Sequence, residues 1–193
     1  MKTKHPKIQD RIYQIKVGLL EVSPLVWRRF LIPSRVSLHR LHLVLQDVIG
    51  WQNYHLYRFQ IGSNEYGVPD LDKDFSESDF KDSKRAKLGK LVKGKNEIFI
   101  YQYDFGDGWE HQLLIEDIFI RDLEKQYPIC LEGENSGPPE DSGGPHGYAE
   151  MMEITRNPTH PEYQDVKIWL GKGFNPRKFD LKSVNKRLSR TPS

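Results

Sequence analysis

Two neighbouring stretches of alternating apolar and polar residues commit this chain to a sheet with one buried face. Tyr13, Ile15, Val17 and Leu19 alternate with Gln14, Lys16 and Gly18 across residues 12–20, and residues 26–32 repeat the habit before Pro33 ends it. A period of two sends successive side chains to opposite faces, so these runs predict two strands, with Ser23-Pro24 bending the chain between them. Ser37 then caps a helix in which Leu38, Leu41, Leu45, Val48 and Ile49 fall at helical spacing, with Gly50 just past its end. Such a stripe needs a partner, and the buried sheet face is available. Residues 55–61 read as a third strand, and residues 98–105 with 109–118 as a hairpin. Three short helical patterns follow at 148–156, 161–170 and 180–188, the last capped by Asp180 with Leu181, Val184 and Leu188 on one face. The order predicts an α+β fold: a mixed, mostly antiparallel sheet crossed by one helix, a β-grasp-like roll, with C-terminal helices appended. Closure into a barrel is the alternative.

At 193 residues the chain suits a single domain spanning 1–193. Its sheet core is expected at 8–120, a Gly/Pro loop at 127–147 and the helices at 148–190. Residues 70–97 read as an exposed charged excursion, because six of the thirteen residues from Asp70 to Asp82 are acidic and six from Lys84 to Lys95 are basic. Asp70, Asp72 and Asp74 mimic the opening of a calcium loop. Phe75 stands where that loop needs glycine and Lys81 where it needs glutamate, so the match is rejected. No 18 apolar residues run together and no leader-like apolar stretch follows the polar start, so a cytoplasmic protein without membrane contact is expected. Cys130 is the only cysteine, which excludes an intrachain disulfide. A net charge of +2 leaves no global field to drive the chain onto nucleic acid or anionic lipid.

The densest chemistry lies in two segments, the Tyr103–His111 stretch Tyr-Asp-Phe-Gly-Asp-Gly-Trp-Glu-His and the Gly/Pro/acid-rich loop at 130–148. If Asp107-Gly108 forms a two-residue turn, Asp104 faces His111 across the hairpin. A partly buried Asp–His pair fixes the imidazole tautomer and makes it a better base, so Asp104 and His111 are the candidate catalytic residues. Paired this way, His111 would have its pKa raised. A cross-strand ion pair that pins the register is the plainer reading of the same geometry. Asp107, Trp109, Glu110, Glu140, Asp141, His146 and Tyr148 are the candidate binding residues around them.

The loop can be read three ways. In the first its backbone N–H groups cradle an anion, with Gly147 aiming a helix N-terminus at it, although Glu140 and Asp141 oppose that. Asp141, His146, His111 and Cys130 are metal-ligand types on two segments, but their spacing matches no known finger, and no metal or cofactor is assigned. Pro138, Pro139 and Pro145 stiffening a packed loop is the third reading. His39, His42 and His55 suit helix-surface or satisfied core positions, and Trp27, Trp51 and Trp169 suit the core. Eight Lys or Arg against two Asp from Asp165 onward, including Lys182, Lys186, Arg187 and Arg190, allow weak nucleic-acid binding at most.

Several of these residues also carry a resemblance. Val26-Trp-Arg-Arg29, Leu41-His42, Gly50-Trp51 with His55-Leu-Tyr57, Tyr103–His111, Pro138-Pro-Glu-Asp141 with Gly143-Gly-Pro145, Gly147-Tyr148, and Asn175-Pro176 with Phe179-Asp180 resemble the plasmid pRiA4b ORF-three-like family. The match runs from about Ile12 to Leu188. The resemblance implies a fold and a site location rather than a reaction, and an association of some members with mobile elements. It also implies cysteines flanking the Pro-Pro-Glu-Asp run in many members, which with Cys130 and His111 would make a Cys3His zinc set. Here those positions are Gly137 and Ser142, so zinc on that set is not expected. Residues and resemblance together favour a binding or interaction module for an unknown small molecule or protein. The alternative is a metal-assisted or Asp–His hydrolase acting on a phosphate or amide substrate.

Overall fold

The alternation near the start becomes β1 (Arg11–Leu19) and β2 (Trp27–Pro33), paired antiparallel with Ile15 opposite Phe30 and Val17 opposite Arg28. The structure, a computed structural model, describes residues 11–69 and 80–191. Among these, β3 (Tyr57–Ile61), β4 (Asn64–Gly67), β5 (Lys81–Asp82), β6 (Ile98–Tyr103), β7 (Trp109–Ile120) and β8 (Ile129–Glu134) complete an eight-stranded sheet in the order β5-β4-β3-β6-β7-β1-β2-β8. Only β4 and β5 run parallel. The order starts and ends on different strands, so the sheet is open and the barrel alternative does not hold. The mixed α+β architecture read from the sequence is therefore the one observed.

Helix α1 (Leu38–Ile49) starts and stops where the sequence indicates. Ser37 Oγ accepts the Arg40 N–H at 3.2 Å, and Gly50, at φ 109°, returns its N–H to the Gln46 carbonyl. A left-handed residue there costs a non-glycine side chain about 1 kcal/mol or more, which is why the chain ends the helix on glycine. The apolar face of α1 covers one side of the sheet. The His42 ring stacks on Tyr57 of β3 at 3.6 Å, and Val48 O accepts Arg28 Nε of β2 at 2.8 Å. Every strand from β3 to β8 through β1 sends its alternate residues to that side: Phe59, Tyr101, Leu113, Val17, Phe30 and Cys130 are all buried. The opposite side is polar and open, with Arg29 bridging Glu116 and Glu132 beside Trp27.

Two expectations change here. Residues 80–97 do not all form an exposed excursion: β5 extends β4, and α2 (Leu88–Leu91) buries Leu88 while Val92 closes behind it. Leu88 N–H and Gly89 N–H donate to Val36 O and Ser34 O, so the basic stretch is tied to the end of β2. Asp70, Asp72 and Asp74 lie outside the described residues. The expected 127–147 loop contains β8, whose Cys130 sits opposite Phe30, and the start of α3 (Gly144–Ile154). Helices α4 (Tyr163–Leu170) and α5 (Leu181–Leu188) follow. On α5, Asn185 acts as a substitute strand: its Oδ1 accepts Cys130 N–H at 2.8 Å and its Nδ2 donates to Cys130 O at 2.9 Å.

Candidate metal centre

Tyr57 of β3 pairs with Tyr103 of β6, so the chain segments just before one and just after the other leave the ladder at the same rung. His55 and Asp104 occupy those two positions. Asp104 leaves the strand at φ 57°, and its Oδ1 accepts Gly106 N–H at 3.0 Å and Asp107 N–H at 3.3 Å, which closes a tight loop on itself. That loop aims Oδ2 at His55 Nε2, 3.5 Å away.

The third member comes from the Gly/Pro loop. Asp141, at φ 58°, places Oδ1 3.0 Å from the same His55 Nε2. Three threads hold the loops together. Trp51 Nε1 donates to Pro138 O at 2.8 Å, Gln52 N–H donates to Glu140 Oε2 at 3.0 Å, and Gly143 N–H donates to Asp107 Oδ2 at 3.1 Å. Beneath them the Tyr103 hydroxyl accepts Tyr54 and His55 N–H and donates to Glu140 in a very short bond. Burial, and then that bond, raises the Tyr103 pKa above the ordinary phenol value, so its proton stays on oxygen.

The geometry of the triad is that of converging donors. The three ligand atoms lie within 4.8 Å of one another, yet His55 Nε2, enclosed by its neighbours, makes no hydrogen bond to either carboxylate. The oxygens stand off the N–H direction. Donors at about 2.0–2.2 Å from one cation sit about 3–3.5 Å from each other in tetrahedral or octahedral arrangements, and the two carboxylate oxygens stand 3.0 and 3.5 Å from His55 Nε2. One imidazole and two carboxylates suit Zn2+, Mn2+ or Fe2+ rather than a soft thiolate-seeking ion. Two of the three donors sit in left-handed backbone, a conformation that costs about 1–3 kcal/mol and collects at functional sites.

The residues expected from the sequence distribute unevenly. Asp104 and Asp141 come together, Asp107 and Glu140 brace them, and the expected pairing of Asp104 with His111 does not form. Tyr103 pairs with Trp109 and Tyr101 with His111, so Asp104–Gly108 forms a five-residue connection instead of a two-residue turn. His111 faces the core at 0% exposure, with Nδ1 against Tyr101 O at 3.2 Å and its ring perpendicular to Trp51. Burial lowers its pKa to about 3, opposite to the rise a paired carboxylate would cause. Trp109 and Tyr148 are core residues, while Glu110 points to the other side of the sheet and His146 is exposed on α3. Cys130 lies three strands from β7, on the rung of Ile115 rather than His111, so at ~4.8 Å per strand the two cannot share an ion. The sequence alone suits His55 to a surface or core position; its signal is its place two residues before a strand whose partner strand ends at Tyr103, just ahead of Asp104.

The sequence profile of a family described as "Plasmid pRiA4b ORF-3-like protein" matches residues 11–183. An uncharacterized protein, y4hQ, from Sinorhizobium fredii (strain NBRC 101917 / NGR234) is 38% identical over 161 residues, covering 83% of this chain and 81% of the relative. The crystal structure of MM3350 from Methanosarcina mazei Go1, a protein of unknown function, superposes with a TM-score of 0.80 at 33% identity, covering 89% of this chain and 96% of that one.

Proposed function

The chain belongs to the plasmid pRiA4b ORF-3-like family, and we propose that it is a metal-binding module that holds one divalent transition-metal ion on His55, Asp104 and Asp141. The observation that carries this reading is the unsatisfied Nε2 of His55, 3.0 and 3.5 Å from two carboxylate oxygens that it does not hydrogen-bond. In the absence of an ion that ring nitrogen is enclosed beside two carboxylates with no hydrogen bond to either. An ion resolves it, with the imidazole donating its lone pair and the carboxylates neutralising the charge.

The Asp141 side chain is 68% exposed, so an ion here would keep coordination positions open to water. Open positions characterise reactive sites, whereas structural zinc sites are closed by four protein ligands. This favours a second reading, activation of a bound water for hydrolysis, over a purely structural ion. Glu140 braces the two loops, one oxygen accepting from Tyr103 and the other from Gln52 N–H.

Titration of chelator-stripped protein with Zn2+ and Mn2+, followed by calorimetry, is expected to show one site per chain. His55→Ala and Asp104→Asn should each weaken it by more than ~100-fold, because losing a ligand costs more than losing one of its outer supports. Affinity should fall on acidification, as protons compete for the imidazole. Wild-type uptake in His55→Ala would overturn the assignment.

A further inference from the structure

Two of the sequence motifs leave the metal centre untouched, Val26-Trp-Arg-Arg29 and Asn175-Pro176 with Phe179-Asp180, and the fold brings them together. They meet at a cavity of about 290 Å³ between β2, the C-terminus of α1, the 136–139 segment and α5. Arg28 forms its floor. This side chain is only 2% exposed, and all its partners are neutral: Nε donates to Val48 O at 2.8 Å, and Nη1 donates to Trp27 O and Glu134 O at 2.7 Å each. Its flat face lies 4.4 Å from the Phe179 ring centre.

Among the described residues, no carboxylate pairs with this buried guanidinium. A charge removed from water without a counterion is costly, and proteins seldom keep one without a use for it. Burial lowers the Arg28 pKa to about 10, and the nearby positive charge of Arg187 pushes in the same direction. Arg187 also lines the cavity and likewise spends its Nε on a carbonyl, Asp47 O at 2.9 Å. Lys178 supplies a third cation on the wall. The one carboxylate there, Asp180, is engaged in capping α5, accepting from Ser183 N–H at 3.0 Å and Ser183 Oγ–H at 2.9 Å.

The floor is also built to shape. A Cβ on Gly133 would come 2.6 Å from Arg28 Cδ and 2.8 Å from Phe179 Cζ, so only glycine lets the guanidinium and the ring stack. We propose that this cavity is an anion subsite for a phosphate group, free or as a phosphomonoester, with Arg28 as its fixed buried cation and Arg187 and Lys178 as its outer ones. With Arg28 Nε and Nη1 already committed to carbonyls, its charge attracts the anion while Arg187 and Lys178 supply the donors, and the Phe174 and Phe179 rings give an organic substituent an apolar wall. None of these residues is a donor of the metal cluster, so the two assignments stand or fall separately.

The test uses chelator-treated protein, so that no metal recruits the anion, titrated at constant ionic strength with inorganic phosphate, phenyl phosphate or acetate. Because Arg28 is part of the core, the variant is Arg187→Ala with Lys178→Ala, its folding checked by thermal melting. Saturable phosphate binding is expected, weakened at least about tenfold in the double variant and unchanged in His55→Ala. Phenyl phosphate should bind at least as well as phosphate. Absence of saturation, equal affinity for acetate, wild-type affinity in the double variant, or loss in His55→Ala would each overturn the proposal.

Discussion

His111 shows how one residue can be central to the fold by being kept out of chemistry. It and His42 are both buried and both held at about pKa 3, with burial as the main cause and hydrogen bonds to Tyr101 and Trp109, or to Asn53, opposing it. In the unfolded chain the same imidazoles protonate near the ordinary value of ~6.5. Between those values the unfolded state binds protons that the folded state refuses, so acid favours unfolding. Stability from these groups is therefore complete above about pH 6.5 and is lost as the pH falls toward 3, with a slope on the order of 1 kcal/mol per pH unit for each histidine. Urea unfolding of wild type and His111→Gln from neutral pH to about pH 4 should show a shallower acid slope in the variant. An unchanged slope would mean that His111 is not neutral in the folded state. The sequence pointed to His111 for the wrong reason: Asp107-Gly108 favours a two-residue turn, but the Asp104 side chain captured the backbone N–H groups of Gly106 and Asp107 first.

Elements legible in the sequence were those set by local chemistry. The Ser37 cap, the Gly50 stop and the alternation of β1 and β2 each follow from residues adjacent in the chain. What escaped was set by distant partners. The Ile-Cys-Leu-Glu-Gly-Glu run of β8 is apolar and strand-like only at its start around Cys130, and its full length is a strand because β2 offers a free edge and Asn185 closes the other side. His55 escaped likewise, since its two carboxylate neighbours arrive from β6 and from the loop before α3. That last approach depends on one glycine. Gly144 sits at φ 69°, and a Cβ there would lie 2.2 Å from Asp107 O, where the start of α3 meets the hairpin loop. Gly144→Ala should destabilise the protein by about 2–4 kcal/mol and weaken metal uptake, because it pushes the Asp141 loop off the Asp104 loop. Denaturant melts and the metal titration, run side by side, measure both effects; an unaltered melting midpoint would show that the contact yields easily.

For the whole molecule, charge is nearly balanced at +2, and no helix among the described residues is long and apolar enough to cross a membrane. The basic face of α5 and a single phosphate subsite would give nucleic acid only salt-sensitive affinity, on the order of 10⁻⁴–10⁻⁶ M at physiological salt. A mobility-shift series in rising salt should lose the complex, and sequence-selective binding that persists would contradict this. The sheet itself has two borders, β5 and β8. The β5 border is two residues long, too short to template another strand. At β8 the Asn185 carboxamide already occupies the Cys130 rung that an incoming chain would need. Helix α5, locked onto the Cys130 rung by the Asn185 carboxamide, thus shields this border from edge-to-edge pairing, and exchanging that amide for an apolar group would leave one backbone N–H and one C=O of the border without a partner.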